Sequence, residues 1–409
     1  MKKLLSLLLA TAMMSMALVG CGEKQPTGNA NADADTINIG ALAPTTGNVA
    51  VYGQTSLNGF VLATEIRNAN GGVLGKQVNL MHEDEEGDAT KAVNAYNKLV
   101  GDGVVAILGD ITSKPTIAVS QVIAQSEEKL PMMTPTATAA DVTTFGDTVF
   151  KACFNDPFQG EAMANYAKDK LGAKTAAVLF DNADDYSLGT AEAFKATAEK
   201  IGLEVVGYES FTGQDTVDFK SQLTNIKAKN PDVVFVPTYY NVIALILTQA
   251  SDMGFDTQFL GCDGWDGVVG ALTDDQKDKA DGAIFSNHYY TEDPDPVVAD
   301  FVAKYQEKFG ELPTAFSALG YDGAMMMFDA IEKAGSTDAA AIVAALKETD
   351  YTGVTGKIFY ENSGDPTKSL TMIQIKEGKY TLLEEYSVGE KEQAPAEQPV
   401  AEPAEEPAA

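Results

Sequence analysis

Polar groups that could hold an anion follow two short apolar runs in the first third of the chain. Ser113 follows the run 104–108 after a Gly-Asp turn. The groups that follow the run 130–134 are the hydroxyls of Thr136 and Thr138 and the backbone of Ala137. Such runs are typical of buried parallel strands, whose carboxyl ends bind ligands in open α/β sheets. Because hydroxyl and N–H groups at a helix start can hold a carboxylate, we expect half of a small-molecule site here, with simple helix capping as the alternative.

A possible cation-binding group and several aromatic rings follow later strand ends. Asp263 lies in a Gly-Cys-Asp-Gly loop, where its carboxylate could pair with an ammonium group. A turn is the commoner use of Asp before Gly. The aromatic residues that could wall an apolar group are Tyr52, Tyr186, Tyr239, Trp265 and Phe316. Phe316 could instead belong to the core, and Trp265 could close an interface between lobes. An anion site, a cation site and an apolar wall together predict an α-amino acid as the ligand.

Residues that could support catalysis or metal binding are sparse. The chain has two histidines, His82 and His288, and neither has a partner at metal-ligand spacing. The sequence has no Gly-x-Ser-x-Gly elbow and no evident pairing of a nucleophile with a base. We therefore expect a protein that is not an enzyme, with no catalytic residue, metal or cofactor. A secreted hydrolase of small amides is the alternative from another class.

Length and net charge limit the number of domains and the kinds of partner that this protein can have. The chain has 409 residues, which is enough for two domains with cores of their own. It carries 29 Lys and Arg against 59 Asp and Glu, a formal net charge of −30. A surface of this charge repels nucleic acid and anionic lipid, so nucleic acid is excluded as a partner.

The first residues have the layout of an export signal. An apolar run over 4–20 follows two lysines and ends in small residues before Cys21. We expect 1–20 to be a signal peptide and Cys21 to carry a lipid that anchors the protein outside a bacterial cell membrane. Ordinary secretion is the alternative. We expect 21–35 to be a flexible tether and 389–409, rich in Ala, Pro and Glu, to be a disordered tail.

Two cysteines remain, Cys153 and Cys262. They fall in different predicted elements, and a disulfide requires its two Cα atoms to approach closely. We expect two free, partly buried thiols rather than a disulfide.

Strand and helix patterns alternate along the chain. The runs that predict strands are 36–43, 78–81, 104–108, 131–134, 175–180, 203–206, 232–236, 257–260, 356–360, 370–376 and 379–386. Between most of them, apolar residues recur at helical spacing, as Ala92, Tyr96 and Leu99 do. Repeated strand–helix alternation predicts an α/β fold of two similar lobes with parallel-type sheets.

From about 36 to 388 the chain resembles the leucine/isoleucine/valine-binding proteins that feed ABC importers. The motifs that carry the resemblance are Gly47-Asn-Val-Ala-Val-Tyr52-Gly53, Ile66-Arg-Asn-Ala-Asn-Gly-Gly72, Gly109-Asp-Ile-Thr-Ser113, Thr134-Pro-Thr-Ala-Thr138-Ala, Asp156-Pro-Phe-Gln159-Gly and Thr257-Gln-Phe-Leu-Gly261-Cys-Asp263-Gly. Each motif is weak alone, but their order and spacing are specific to the family. The resemblance implies the type I periplasmic-binding fold, in which two lobes are joined by a hinge of three crossings.

The resemblance also implies roles for individual residues. Ser113, Thr138 and the backbone at Thr136 and Ala137 would hold the ligand carboxylate, and Asp263 would bind the ammonium. Tyr186 and Tyr239 would belong to the closing lobe. The residues that would line the side-chain pocket are Tyr52, Ile111 and Phe316.

We expect lobe 1 to combine 36–153 with 289–366, and lobe 2 to combine 154–288 with 367–388. The ligand would bind in the cleft between them by hinge closure. The expected partners are a small amino acid and the permease subunits of an ABC importer, and the protein is expected to be a monomer. A sensor of another amino acid or small amide on the same fold is the alternative.

The chain departs from the family pattern at three points. Members often have Glu where this chain has Asp263, so its carboxylate reaches one methylene less. Some members have a disulfide near the position of Thr112, which this chain lacks. Trp265 is an extra bulky group expected beside the site. A branched aliphatic amino acid is the first expectation for the ligand, and a larger, smaller or more polar one is the alternative.

Overall fold

Two large sheets carry most of the chain that the computed structural model describes, which is 36–361 and 363–386. The first sheet draws its strands from the first part of the chain: β1 (Thr36–Leu42), β2 (Gln77–Glu83), β3 (Ile107–Leu108), β4 (Met132–Thr134) and β5 (Val149–Lys151). All are parallel, in the order β2-β1-β3-β4-β5. The helices between them are α1 (Ala50–Ala69), α2 (Ala89–Gly101) and α3 (Ser113–Gln125).

The middle of the chain forms a second βα series. Its strands are β6 (Thr175–Asp181), β7 (Glu204–Phe211), β8 (Val233–Phe235), β9 (Gln258–Gly261) and β10 (Ile284–Asn287). Its helices are α4 (Asp156–Asp169), α5 (Asp185–Ile201), α6 (Lys220–Lys227), α7 (Tyr240–Asp252) and the short α8 (Val268–Ala271). The five strands are mutually parallel, in the order β10-β9-β8-β6-β7.

The last part of the chain returns to both sheets. The helices are α9 (Pro296–Phe309), α10 (Ala315–Ala334) and α11 (Ala339–Lys347), followed by a small antiparallel sheet of β11 (Asp350–Gly353), β12 (Gly356–Tyr360) and β13 (Pro366–Thr367). The small sheet lies against β5, because the N–H of Lys151 donates to Gly364 O at 2.8 Å. Finally, β14 (Leu370–Lys376) and β15 (Lys379–Tyr386) extend the second sheet as antiparallel strands beside β10.

The chain therefore runs between the two large sheets three times, at 152–155, 288–295 and 368–369. Cys153 lies in the first of these passages and Cys262 in a loop of the second sheet. Both are buried and unpaired, which confirms the expectation of two free thiols. The predicted signal peptide (1–20), Cys21, the tether (21–35) and the tail (389–409) lie outside the described residues.

Several elements differ from the sequence prediction. The strands β5, β10 and β11 and the helix α11 were not expected, and β3 spans two residues rather than 104–108. Both β5 and β10 are short and mix apolar with polar residues, such as the buried Lys151 and Ser286. Strands of three or four residues give too little periodicity for a pattern to reveal.

Two glycines allow α1 and α10 to cross with their backbones almost in contact. A Cβ at Gly59 would lie 2.3 Å from Ser317 O, and one at Gly320 would lie 2.5 Å from Ser56 O. Real Cβ atoms do not approach oxygen so closely, so only glycine fits at either position. This crossing holds the first turn of α1 beside the first turn of α10.

Replacing Gly320 with Ala should therefore separate the two helices. Overpacking of this kind costs about 1–3 kcal/mol of unfolding free energy, which denaturant titration can measure. Gly101→Ala is the matched control, because a Cβ there meets nothing within 4 Å and Ala favours a helix. Equal stability of Gly320→Ala and the unmodified chain would contradict the close crossing.

Candidate functional site

One wall of the site consists of the loops that follow β3 and β4. Thr136 Oγ1 donates to Ile111 O at 2.6 Å, and Thr134 Oγ1 donates to Asp110 O at 2.6 Å. The N–H of Ala137 donates to Thr134 Oγ1 at 3.1 Å. These hydroxyl–backbone bonds hold the two loops side by side, as expected for loops at the carboxyl ends of neighbouring parallel strands.

Ser113 is the first residue of α3 and is buried. Its Oγ accepts a hydrogen bond from the N–H of Ala139 at 3.1 Å. A hydroxyl that accepts one bond still has its own proton to donate. The positive end of the α3 dipole lies at the same place. Together these groups suit an anion such as a carboxylate.

Lys151 supports the loop that contains Thr138. Its Nζ donates to Ala139 O at 2.7 Å and to Thr138 O at 3.3 Å, and it forms an ion pair with Asp365 at 2.7 Å. The side chain has no exposed surface. The lysine charge is thus satisfied inside the wall, and it fixes the loop from behind.

The opposite wall contains Asp263, which is only 2% exposed. Its Oδ1 accepts from Gln159 Nε2 at 3.1 Å, and its own N–H donates to Gln159 Oε1 at 3.1 Å. Its Oδ2 lies 3.2 Å from His288 Nε2. Burial lowers the pKa of His288, so the imidazole is neutral near pH 7 and Nε2 carries the donated proton.

Two further carboxyl groups lie near the cleft. Burial raises the pKa of Asp156 well above its usual value, although a hydrogen bond with the side chain of Thr138 acts in the opposite sense. Burial likewise raises the pKa of Asp184 to about 7, and Tyr239 Oη donates to its Oδ2 at 3.3 Å. Both shifts favour the neutral acid and so limit the negative charge that these two groups add to the cleft.

Aromatic rings from both halves enclose the space between the walls. Tyr52 stacks on Phe316 with ring centroids 4.1 Å apart, and Tyr186 stacks on Tyr239 at 5.2 Å. Tyr52 Oη donates to Gly264 O at 2.5 Å, which joins α1 to the opposite wall. Burial raises the pKa of the hydroxyls of Tyr52, Tyr186 and Tyr239, so these groups stay neutral.

The two walls face each other across a small cavity. Its lining residues are Ile111, Thr112, Ser113, Thr136, Thr138, Tyr186, Tyr239, Asp263, Gly264 and Phe316. Eight of the eleven residues predicted for the ligand site are among them.

Three predicted residues do not line the cavity. Tyr52 lies behind Phe316, and the N–H of Ala137 is already bound to Thr134. Trp265 packs away from the site, because its Nε1 donates to Val236 O at 2.8 Å.

The position of Trp265 has a simple steric cause. Its indole lies against the backbone of Gly261, where a Cβ would come within 2.0 Å of Nε1. On its other side the ring stacks towards Phe285, with centroids 6.4 Å apart. The bulk of Trp265 is therefore taken up by the interior of the second sheet and does not narrow the cavity.

Polar contacts across the opening join the two walls outside the cavity. Asn48 Nδ2 donates to Asp215 Oδ1 at 2.9 Å, and Lys114 Nζ donates to Ala183 O at 3.1 Å. Tyr240 Oη donates to Asn48 O at 3.1 Å. Each contact links a loop or helix of the first sheet to one of the second, so the cavity is covered.

Sequence patterns did not assign a role to four residues that support the site: Thr134, Lys151, Gln159 and His288. Gln159 lies in one of the motifs that carry the family resemblance, which is the one signal that could have identified it. His288 lacks any neighbour at metal-ligand spacing in the sequence, and it meets Asp263 only through the fold.

Among the described residues no group of three or more His, Cys, Asp or Glu could hold a metal ion. Nor is any helix of 36–361 or 363–386 long and apolar enough to cross a membrane.

Comparisons with known proteins agree with this geometry. The family model described as "Periplasmic binding protein" matches residues 36–379. The Leu/Ile/Val-binding protein BraC3 of Rhizobium johnstonii is 35% identical over 359 residues, which cover 85% of this chain and 94% of that protein. A leucine-, isoleucine-, valine-, threonine- and alanine-binding protein of Pseudomonas aeruginosa is 30% identical over 338 residues, covering 81% of this chain and 87% of that protein.

A solved structure extends the comparison to three dimensions. The branched-chain amino acid transporter substrate-binding protein LivJ of Streptococcus pneumoniae, in complex with isoleucine, superposes with a TM-score of 0.79 at 31% identity. The match covers 85% of this chain and 99% of that one. These findings confirm the expected type I periplasmic-binding fold and the resemblance seen in the sequence.

A buried pair of acids lies beside the loop that bears Ile111. Asp110 Oδ1 accepts from the N–H of Ile111 at 2.5 Å, and Glu85 Oε2 accepts from the N–H of Gly87 at 2.6 Å. Neither acid has exposed surface. Burial raises the pKa of both, and their mutual repulsion raises that of Glu85 further. The pair therefore keeps a proton at neutral pH.

This pair should make the stability of the protein depend on pH. A carboxyl whose pKa is raised on folding contributes stability at low pH that is lost as pH rises through the folded pKa. Glu85→Gln cannot ionise, so its unfolding free energy should fall less steeply than that of the unmodified chain between about pH 5 and 9. The difference should approach about 1.4 kcal/mol per pH unit in the range where the unfolded chain has lost this proton and the folded pair still keeps it.

Denaturant titrations at a series of pH values measure this difference. Glu86→Gln changes the exposed neighbouring acid and should leave the slope unaltered. Parallel slopes for Glu85→Gln and the unmodified chain would show that the pair does not retain a proton.

Proposed function

The chain belongs to the periplasmic binding protein family. It is a substrate-binding protein of the branched-chain amino acid ABC transporter type. From this membership we propose that its cavity binds a leucine-, isoleucine- or valine-like α-amino acid. The observation that carries the proposal is one small cavity lined by the hydroxyls of Ser113 and Thr138, by Asp263 and by an aromatic wall. The relatives are substrate-binding proteins rather than enzymes, and we assign no catalytic step to this chain.

The first wall is suited to the ligand carboxylate. Ser113 offers a hydroxyl proton at the N-terminus of α3, and Thr138 offers a second hydroxyl group on the neighbouring loop. Hydrogen bonds from neutral donors to a carboxylate are charge-assisted and therefore strong. Lys151 does not contact the cavity; it supports the loop of Thr138 from behind through its bonds to Thr138 O and Ala139 O.

The second wall is suited to the ligand ammonium. Asp263 is the carboxylate of the lining, and each of its oxygens accepts one bond from a neutral donor, Gln159 or His288. A carboxylate oxygen has a second lone pair for the ammonium. Because Asp is one methylene shorter than Glu, the ammonium would lie closer to the loop of Asp263 than it does where Glu stands.

The aromatic wall and Ile111 are suited to the ligand side chain. Phe316, backed by Tyr52, and Tyr239 present carbon-rich surface to the cavity, and the described lining carries no charged residue other than Asp263. An aliphatic group of a few carbons gains about 0.8 kcal/mol per buried CH₂ in such a setting. This contribution favours leucine, isoleucine or valine over glycine or a charged amino acid.

Binding would proceed by closure of two lobes, 36–153 with 289–366 and 154–288 with 367–388, about the three passages between the sheets. The contacts of Tyr52 with Gly264 and of Lys114 with Ala183 would form on closing. Hinge motion around a ligand is common for folds of this architecture. The closed form would then be the one that the membrane permease recognises.

Replacing Asp263 with Asn should weaken the binding of L-leucine, because the ammonium would lose the negative charge of Asp263 in a buried site. Loss of one partner of a buried charge pair costs about 2–5 kcal/mol, or roughly 30-fold to several thousand-fold in Kd. Isothermal titration calorimetry of ligand-free protein at neutral pH measures the change, and a thermal-shift screen of the amino acids identifies the preferred ligand.

Asp266→Asn is the matched control for this experiment. Asp266 is a buried carboxyl three residues away, but it binds the N–H of Ala315 and lies outside the cavity lining. Its replacement should leave the Kd for L-leucine within about threefold. Unchanged affinity in Asp263→Asn would remove Asp263 from the ammonium site, and no thermal shift with any amino acid would overturn the proposed function.

We further propose that Cys21 carries a lipid that holds the protein at the outer face of the cell membrane. Cys21→Ser should then move the protein from the membrane fraction of its host to the soluble fraction. Cys262→Ser, which removes a buried thiol instead, should leave the distribution unchanged. Membrane association of Cys21→Ser would exclude the lipid anchor.

A further inference from the structure

Three hydrogen bonds hold Asp263, and the partner in each of them is an uncharged group. Gln159 spans the side chain and the backbone of Asp263 through the amide donor and the amide oxygen. Gln159 is itself fixed, since Ser286 Oγ donates to the same Oε1 at 3.2 Å. His288 occupies the remaining carboxylate oxygen, Oδ2. The carboxylate therefore has one defined orientation towards the cavity.

His288 is also part of the connection between the two sheets. It is the first residue of the passage 288–295, and its ring stacks on Phe154 of the passage 152–155 with centroids 3.7 Å apart. The ring is fully buried, and its Nδ1 has no hydrogen-bond partner among the described residues. One face of the ring thus contacts a second chain crossing, while its edge contacts the binding carboxylate.

The charge state of His288 decides what Asp263 can offer. In the neutral form with the proton on Nε2, the ring donates one bond and leaves the full negative charge of Asp263 for a ligand. A protonated ring would place a positive charge 3.2 Å from Asp263 Oδ2 and would compete with a ligand ammonium for it.

The groups around His288 favour the neutral ring. Burial lowers its pKa first, and the positive charge of Lys368 in the third passage acts in the same direction. The hydrogen bond and the negative charge of Asp263 act in the opposite direction. Two further titratable groups lie nearby: Asp156, next to Gln159, and Cys153, next to Phe154 in the chain. Burial raises the pKa of Asp156 and of Cys153, which favours their neutral forms.

We propose that neutral His288, together with Gln159, positions Asp263 for the ligand ammonium, and that protonation of His288 weakens amino-acid binding in acid. The inference rests on the proposed function, because it needs a ligand with an ammonium group. His288 does not itself touch the ligand; it is a positioning residue that acts through Asp263. Ligand binding and protonation of His288 then oppose each other, as linkage requires.

The test compares the pH dependence of L-leucine affinity in three proteins by calorimetry between about pH 5 and pH 7.5. In the unmodified protein the affinity should fall by up to about tenfold per pH unit below the pKa of His288. His288→Gln keeps a donor but cannot ionise, so it should lose most of this pH dependence whatever its affinity near pH 7.5. Gln159→Met loses both bonds to Asp263, and it should bind at least about tenfold more weakly while keeping the pH dependence.

A spectroscopic measurement separates titration from a purely structural role. Since the chain has two histidines, His82→Gln leaves His288 as the single ring signal for NMR. Its titration midpoint should lie below the usual value of about 6.5 and should move lower when L-leucine is saturating. A variant that only loosened the fold would shift the melting temperature without reproducing this ligand-dependent midpoint.

The outcomes distinguish the inference from the proposed function. If the unmodified protein binds no amino acid near pH 7.5, the proposed function fails and this inference with it. If it binds L-leucine but His288→Gln shows the same pH profile, the role of His288 is overturned while the function stands. A His288 midpoint that L-leucine does not move overturns it as well.

Discussion

A carboxylate that is almost entirely removed from water, Asp263, is the constraint that organises the rest of the site. A buried charge is costly unless it is hydrogen-bonded and paired. In this fold its hydrogen bonds come from Gln159 and His288, which are neutral, and the cavity lining among the described residues contains no lysine or arginine. The pairing charge is therefore left for a ligand to supply, which is the reason that we propose an ammonium compound rather than a neutral one.

The wall formed by the loops after β3 and β4 presents no charge to the cavity. Its buried charges are satisfied internally: Lys151 pairs with Asp365 behind the loop, and the acids Glu85 and Asp110 share a retained proton. The surface that faces the cavity is then neutral and consists of hydroxyl groups and the start of α3. In the proposed complex, the hydroxyl wall would bind the carboxylate of a zwitterion and Asp263 would bind its ammonium.

Contacts behind the cavity lining also hold these walls in place. The crossing of α1 and α10 at Gly59 and Gly320 fixes the stacked Tyr52 and Phe316, and Tyr52 then reaches Gly264 on the other side. His288 likewise connects the site to the passages between the sheets, because it contacts both Asp263 and Phe154. In the proposed mechanism, the residues that bind the ligand and those that bend on closing are therefore in direct contact.

The sequence by itself determined the features that depend on local pattern. Alternating apolar runs predicted the βα series, and hydroxyls placed directly after neighbouring strands predicted that Ser113, Thr136 and Thr138 would meet, because parallel strands end at one edge of a sheet. The short strands β5 and β10 escaped prediction, since three or four mixed residues carry no clear period.

Only the tertiary structure decided which side chains meet across long separations. Gln159 and His288 lie 104 and 25 residues from Asp263, yet both bond to it, and no local pattern encodes such a distance. The same holds for Trp265, whose sequence position suggested the site, but whose ring packs on Gly261 and away from the cavity. Periodicity specifies which face of an element is buried, whereas the placement of one sheet against the other specifies what that face contacts.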